Sequence, residues 1–569
     1  MNSGHFKSFD NSEIFYREWN YQAHQKSIIM IHRGHEHSER LNDIAQSPQF
    51  SKYNIFAFDL RGHGHTKTQT SSVFMDYVRD LDAFSKFICS HYHIKTSDIF
   101  VLANSIGGVV ASAWAHDFAP SIAGMALLAP AFKINLIVPL ANEMITLGTK
   151  LKKGLIIKSY VKSKMLTHDP EQQKAYDTDP LISRSIDAEL LIDLAKAGKR
   201  LVEDAEAIDT PTLILAAEKD HVVFNKEQKT FHEKLDTDLK HYEVLPDFFH
   251  GILFDTGKEK VYDKVVDFVE KCFNRPIKQA SLSPDQFSVK EYKDLQNNIG
   301  NNLNFKMQKL SLGKIGKISN GMAIGLKYGF DSGASLDYVY QNQPKGKLGF
   351  GKMMDKNYLN AIGWKGIRIR KQHLLQLLEH NIQALKQQGR SVKILDIAGG
   401  TGNYLFDIKE KYPDAEIVIN EFVKSNIEIG EKIIKEKNYQ HIRFTNFDCF
   451  DPQTYQKLNF EPNITIVSGI LELFGDNEMA SKAIQRVNSI SEKDAYIVYT
   501  GQPWHPQLKM IAYVLNNHQN KDWIMRRRSQ KELDRMMAFN TVQKENMLID
   551  DFGIFTVSSG KVNVSNQSL

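Results

Sequence analysis

Short, continuous apolar runs recur through the first half of the chain, separated by stretches with helical periodicity. SIIMIH (Ser27–His32), NIFAFDL (Asn54–Leu60), DIFVLA (Asp98–Ala103), GMALLAP (Gly124–Pro130) and TLILAAE (Thr212–Glu218) are of this kind. Runs that do not alternate with polar residues read as strands buried on both faces. The gaps between them are long enough for a crossover helix, so the segment from about Phe6 to Phe273 predicts a mostly parallel sheet with helices on both faces. A polar, turn-rich stretch follows at Arg275–Phe305, then irregular helices from about Phe287 to Asn381 with frequent glycines. A second series of buried strands begins at Val392. It includes AEIVINE (Ala415–Glu421), a strand ending at Asp448, NITIVSGILELFGD (Asn463–Asp476) as a strand and its loop, DAYIVYTGQPWHP (Asp494–Pro506) and FGIFTVSSG (Phe552–Gly560). The expected organisation is an α/β unit over 1–274 with a lid at about 132–206, a linker and helical cap over 275–385, and a second α/β unit over 386–569.

The 569-residue length fits two cores better than one. The N-terminus lacks the apolar core of a signal peptide, and no run is long and apolar enough to span a bilayer. Three widely spaced cysteines make neither a disulfide framework nor a metal motif, which fits a reducing compartment. A cytoplasmic protein with no metal is therefore expected. A net charge of +5 is small for this size and points away from a nucleic-acid partner. The charge is uneven, however. Met144–Lys164 holds six lysines and no acid, and Gln343–Gln372 holds eight Lys/Arg against Asp355. Such runs read either as solvated faces or as peripheral contact with an anionic membrane at its inner face. Oligomeric state leaves no mark in the pattern.

The chemistry gathers at strand ends. Ser105 follows a strand and precedes Gly107, Gly108 and a helical run, the strand–turn–helix arrangement that lifts a nucleophile above a sheet edge. Asp220 lies just beyond one strand and His250 in the next strand-end loop, in the order Ser, Asp, His. Glu218 and Asp247 are the nearest rivals for the acid. Ile106, next after the serine, has its amide at a helix N-terminus, where negative charge is stabilised.

Two further loops carry a resemblance. His32, Arg33, Gly34, His35, Glu36, His37, Ser38, Glu39 and Arg40 align with the pattern H-G-x-G-E-H-S-x-R, and FDLRGHGHT follows. The segment resembles the monoacylglycerol-lipase and lysophospholipase branch of the α/β-hydrolases, also labelled serine aminopeptidase-like. The resemblance implies a serine hydrolase acting on acyl esters through Ser105, Asp220 and His250, with the amides of Gly34 and Ile106 as the oxyanion hole. Arg33 and His35 replace family glycines, and Ala103 replaces the first glycine of G-x-S-x-G. A lid with apolar and lysine-rich stretches suits a lipid substrate.

In the second half, VKILDIAGGTGNYLFDIKEKYPDAEIVINEF (Val392–Phe422) carries glycines at 399, 400 and 402 between a strand and a helix, and Glu421 at the end of the next strand. Such a turn lets a nucleotide-like cofactor approach the backbone, and the acid can bind ribose hydroxyls. A nicotinamide dinucleotide fits that geometry as well. D-x-A-G-G-T-G resembles the first motif of class I S-adenosylmethionine-dependent methyltransferases. The resemblance implies S-adenosyl-L-methionine as cofactor, held by Asp396, Ala398, Gly400 and Gly402, with Glu421 at the ribose and Asp448 near the adenine. Glu472, Trp504 and His505 are candidates for the substrate face. The chain as a whole resembles a bacterial fusion of a lysophospholipase-like α/β-hydrolase with a Rossmann-like class I methyltransferase.

Overall fold

The computed structural model describes residues 1–67, 73–136, 146, 148–149, 152, 154–276, 280–297, 302–451, 455 and 457–563. The chain divides into two compact units, Met1–Ile277 and Lys278–Leu569.

The first unit is built on an eight-stranded sheet. Its strands are β1 (Asn2–Lys7), β2 (Glu13–Trp19), β3 (Ser27–Ile31), β4 (Asn54–Phe58), β5 (Ile99–Asn104), β6 (Gly124–Leu128), β9 (Thr212–Ala217) and β10 (Lys240–Leu245). They lie in the order β1-β2-β4-β3-β5-β6-β9-β10. From β4 onward neighbours run parallel, whereas β1 and β2 are antiparallel additions at one edge. β3, β4, β5, β6 and β9 are buried at every position, as their unbroken apolar runs require. The main helices are α1 (Phe74–His91), α2 (Ile106–Asp117), α3 (Pro170–Thr178), α4 (Ala188–Glu203), α5 (Asn225–Lys234) and α6 (Lys258–Phe273). This is the α/β-hydrolase fold. The region expected as a lid contains α3, α4 and a small antiparallel pair, β7 (Ile156–Lys158) with β8 (Ser185–Asp187). Part of its start, residues 137–145, 147, 150–151 and 153, falls outside the described residues. Its end is not loose. His116 on α2 bonds Asp117 and Asp204, and Arg200 on α4 makes a two-pronged pair with Asp117 at 2.7 Å.

The second unit has a seven-stranded sheet. Its strands are β11 (Lys393–Asp396), β12 (Glu416–Asn420), β13 (Ile442–Thr445), β14 (Ile464–Val467), β15 (Tyr496–Gly501), β16 (Val542–Ile549) and β17 (Thr556–Val562). The order is β13-β12-β11-β14-β15-β17-β16, parallel except that β17 opposes both β15 and β16. That is the class I methyltransferase arrangement. β16 has no continuous apolar run in the sequence, because its pattern alternates exposed and buried positions. Residues 275–385, expected as linker and cap, supply helices of the second unit itself. They are α7 (Gln286–Asn297), α8 (Leu303–Ile315), α9 (Asn320–Tyr328), α10 (Gly333–Gln341), α11 (Leu348–Leu359) and most of α12 (Ile362–Gln387). α7 is pinned by buried charge: Arg527 pairs with Glu291, and Arg526 donates to Ser288 and Glu532. Among the described residues no helix is long and apolar enough to cross a membrane.

Candidate active sites

In the first unit Ser105 sits between β5 and α2 at φ 55° and ψ −115°, a left-handed conformation costly for a residue with a Cβ. Two glycines make the sharp turn sterically feasible. A Cβ on Gly107 would lie 2.9 Å from the His32 carbonyl oxygen, and one on Gly108 2.8 Å from Pro130. Ala103 replaces a glycine without conflict because it remains inside β5, in register with Ile31 and Leu127.

The Ser105 hydroxyl donates to His250 Nε2 at 2.9 Å, and His250 Nδ1–H donates to Asp220 Oδ2 at 2.8 Å. The carboxylate at Nδ1 fixes the imidazole tautomer that leaves Nε2 free to accept a proton. Asp220 Oδ1 accepts the amides of Val222 and Val223 at 2.8 and 2.9 Å. Burial alone would raise the Asp220 pKa, but His250 and those amides outweigh it and hold it below the ordinary carboxylate value. The rival acids stand outside this chain of bonds: exposed Asp247 pairs with Lys219, and Glu218 accepts the Asp247 amide.

Gly34 and Ile106 come together beside the serine. A Cβ on Gly34 would be 2.5 Å from Ile106 Cδ1, so a side chain there would have to displace that terminal methyl group. Ile106 is the first residue of α2, and its amide has no acceptor within the helix. A cavity of about 200 Å³ opens here, lined by Gly34, Ile106, Phe74, Leu190 and Leu194 among others.

The family glycines that are missing have local replacements. Arg33 is buried and bonds Glu36 at 2.7 Å, with its guanidinium over the Tyr176 and Phe254 rings. Gly251 leaves the room, since a Cβ there would lie 2.6 Å from an Arg33 nitrogen. His35 keeps the left-handed backbone that a glycine would supply, at φ 71°. Neighbouring histidines hold loops: His32 Nδ1–H donates to the Arg33 carbonyl while Nε2 accepts the Leu60 amide, and burial pushes its pKa down to about 4.

In the second unit a cavity of about 1450 Å³ lies over the carboxyl ends of β11 and β12. Ala398, Gly400, Glu421 and Asp448 line it. Gly400 is left-handed at φ 59°, and a Cβ there would meet no atom closer than 4.0 Å, so the turn leaves space against its backbone. Glu421 accepts the amides of Gly400 and Val423, each at 2.8 Å, and retains acceptor capacity toward the cavity. These features fit a nucleoside cofactor with a ribose diol. Asp396 and Gly402 stand behind the loop. Asp396 accepts the Ala398 amide at 3.1 Å and the Tyr404 hydroxyl, and burial pushes its pKa up to about 7. Gly402, also left-handed, packs toward Ile419.

Glu472 and His505 line the same cavity, whereas Trp504 packs into a neighbouring apolar cluster. His505 Nδ1 accepts the Gln507 amide at 3.0 Å, so the neutral ring carries its proton on Nε2, and burial lowers its pKa to about 4. Three lining residues carried no signal in the sequence. Arg370 on α12 is buried over the Phe555 ring, 3.9 Å from Glu472, and in the sequence is one of the basic residues of Gln343–Gln372. Asp337 on α10 accepts the Thr401 hydroxyl at 2.9 Å, tying a cap helix to the glycine turn. Trp364, also on α12, is buried and lines the cavity.

The two units therefore define a serine-hydrolase fold and a class I methyltransferase fold on one chain. Residues 265–561 match the family described as "Putative methyltransferase" and residues 22–257 the family "Serine aminopeptidase, S33". The chain belongs to the former family, and its first unit matches the latter. The Escherichia coli K12 protein "Uncharacterized protein YnbC" is 36% identical over 567 residues, 97% of each chain. A monoacylglycerol lipase of Mycolicibacterium smegmatis is 22% identical over 272 residues, covering 46% of this chain and 95% of its own. The crystal structure of the Paleococcus ferrophilus monoacylglycerol lipase overlays 46% of this chain and 99% of its own at 20% identity and TM-score 0.42.

Proposed function

We propose that the protein is a bifunctional enzyme: an acyl-ester hydrolase of the monoacylglycerol or lysophospholipid type, joined to an S-adenosylmethionine-dependent methyltransferase. The observation that carries the first half is the continuous hydrogen-bonded chain from Ser105 through His250 to Asp220. Ser105 Oγ attacks the ester carbonyl while His250 Nε2 takes its proton, and Asp220 stabilises the imidazolium that forms. The amides of Ile106 and Gly34 receive the charge developing on the carbonyl oxygen. His250 then returns the proton to the departing alcohol, and water releases the acyl group by the same route.

In the second unit, S-adenosylmethionine supplies an electrophilic methyl group when bound. Gly400 gives its backbone to the cofactor, Glu421 accepts from the ribose hydroxyls, and Asp448 stands at the adenine end. Asp396 braces the loop from behind. His505, neutral with its proton on Nε2, donates a hydrogen bond toward the acceptor and does not act as its base. Glu472 is the carboxylate placed to take a proton where the acceptor carries one.

A fluorophosphonate probe tests the hydrolase half. Mass spectrometry of the digested protein is expected to find the adduct on Ser105, and His250→Ala is expected to abolish it. An unlabelled Ser105 in folded protein contradicts the reading. Calorimetric titration with S-adenosylmethionine, with Gly400→Val as the control, tests the other half.

A further inference from the structure

The cavity of the second unit is larger than one cofactor needs, and its outer helices leave several large apolar residues exposed. At about 1450 Å³ it exceeds the roughly 300–1,000 Å³ of ordinary small-molecule pockets. Beyond the glycine turn its walls are apolar, with Leu312, Met322, Phe330, Trp364, Met510 and Trp523 among them. α8 and α11 contribute to these walls and also face solvent. On α8, Leu303, Met307 and Leu310 follow i, i+4, i+7 spacing and form one stripe, and the helix has no buried residue. On α11, Phe350 and Met353 stand out in the same way. These five side chains are 52–73% exposed. Tyr328 and Phe422, also exposed, line the cavity as well.

The charge carried on these helices is almost all positive. Residues 303–318 hold Lys306, Lys309, Lys314 and Lys317 and no acid. Residues 345–356 hold Lys345, Lys347, Lys352 and Lys356, and their single acid, Asp355, is buried. It accepts from Ser319, Tyr338 and the amides of Gly321 and Lys345. Lys309 pairs with Asp522. Lys306, Lys314, Lys317, Lys347, Lys352 and Lys356 have no ion-pair partner among the described residues. Exposed apolar side chains among unpaired lysines are the signature of a helix lying in an anionic lipid interface. A second copy of this chain is disfavoured as the occupant, because its like-charged face would repel this one.

We propose that α8 and α11 dock the second unit on an anionic bilayer, and that the cavity behind them receives a long-chain lipid from that bilayer as the methyl acceptor. The acceptor half rests on the methyltransferase reading, and the docking half does not. The lipid tail occupies the apolar wall from Leu312 to Trp523. Its head reaches the polar end, where Arg370, His505 and Glu472 face the glycine turn. In the transfer, a nucleophilic atom of the head bonds the methyl carbon as the sulfur–methyl bond breaks. The electron pair stays on sulfur, and Glu472 takes the proton where the nucleophile bears one.

The full-length protein is tested by sedimentation with phosphatidylcholine vesicles and with equimolar phosphatidylcholine–phosphatidylglycerol vesicles. Binding is expected at least about tenfold tighter to the anionic vesicles and weakened by high salt. Two variants with unchanged melting temperature are expected to lose about tenfold or more in affinity: Leu303→Ser with Met307→Ser and Leu310→Ser, and Lys306→Glu with Lys314→Glu and Lys317→Glu. For the cavity, lysophosphatidylglycerol with a brominated chain is expected to quench Trp364 and Trp523, and Trp364→Phe with Trp523→Phe to remove the quenching. Equal binding to both vesicles, or variants that bind like wild type, overturns the docking. A dimer that the α8 variants dissolve, with no vesicle binding, assigns the face to a second copy and also overturns it. Vesicle binding without quenching overturns the acceptor site. S-adenosylmethionine titration without lipid separates failure of the cofactor reading from all of these.

Discussion

The two units solve opposite problems. In the first, protein groups touch one another: Ser105, His250 and Asp220 form a bonded chain beside a cavity of about 200 Å³. In the second, the groups surround a space of about 1450 Å³ and few of them touch across it. The difference follows from where the reactivity resides. A serine hydrolase makes its own nucleophile, so its residues must be positioned in the protein beforehand. A methyltransferase borrows its reactive atom, and the protein supplies binding, orientation and exclusion of water.

The sharpest break in this comparison comes from Ser105→Ala. It should lower ester hydrolysis by on the order of 10⁴–10⁶-fold and leave S-adenosylmethionine affinity unchanged in calorimetry. Asp220→Asn should follow at about 10⁴-fold, because an amide no longer selects the Nδ1–H tautomer of His250. That loss is read in kcat, with the melting temperature as control. In the second unit Gly400→Val places a side chain at φ 59° on the cavity surface. Its affinity for S-adenosylmethionine should fall at least about tenfold while ester hydrolysis is retained, a change of about 1.4 kcal/mol or more.

Legibility differed between the units for the same reason. Ser105 and Asp220 were readable because each follows a buried strand without alternation, whereas β10 before His250 is mostly half-exposed and His250 was marked by its place in the order Ser, Asp, His. The glycine turn and Glu421 were readable on the same grounds. Arg370, Asp337 and Trp364 were not. They come from helices whose residues meet only after the chain has packed, and no spacing links residue 337 to Thr401 or 370 to 472. β16 was missed because an alternating strand with lysine and glutamate resembles exposed loop. The room for Arg33 in place of a family glycine comes from Gly251, a residue distant in the chain.

Smaller effects sharpen the comparison by affecting stability in one unit alone. Arg33→Met leaves Glu36 buried with only Arg40, 3.6 Å away, and should cost about 3 kcal/mol in the first unit. Calorimetric melting is expected to show only the first-unit transition moving down. His116→Gln should have the smallest effect and a pH dependence. Burial alone would lower the His116 pKa, but Asp117 and Asp204 reverse this and raise it above the usual value. The charged ring therefore contributes stability fully below the unfolded pKa of about 6.5, and that contribution is lost as pH rises through the higher folded value. The melting deficit of His116→Gln is expected to be about 2–4 °C larger in mild acid than in alkali for each ~1 kcal/mol of that contribution. A deficit that grows toward high pH contradicts a charged His116.

The most direct test of two chemistries on one chain uses wild type, Ser105→Ala and Gly400→Val. Each is incubated with bacterial lipid extract and methyl-deuterated S-adenosylmethionine, and the products are read by mass spectrometry. The account expects wild type to release fatty acid and to place deuterated methyl on a lipid. Ser105→Ala should stop the release, and Gly400→Val should stop the labelling while fatty acid still appears. Fatty acid release that persists in Ser105→Ala, or that disappears in Gly400→Val, would contradict it, as would label found on no lipid at all.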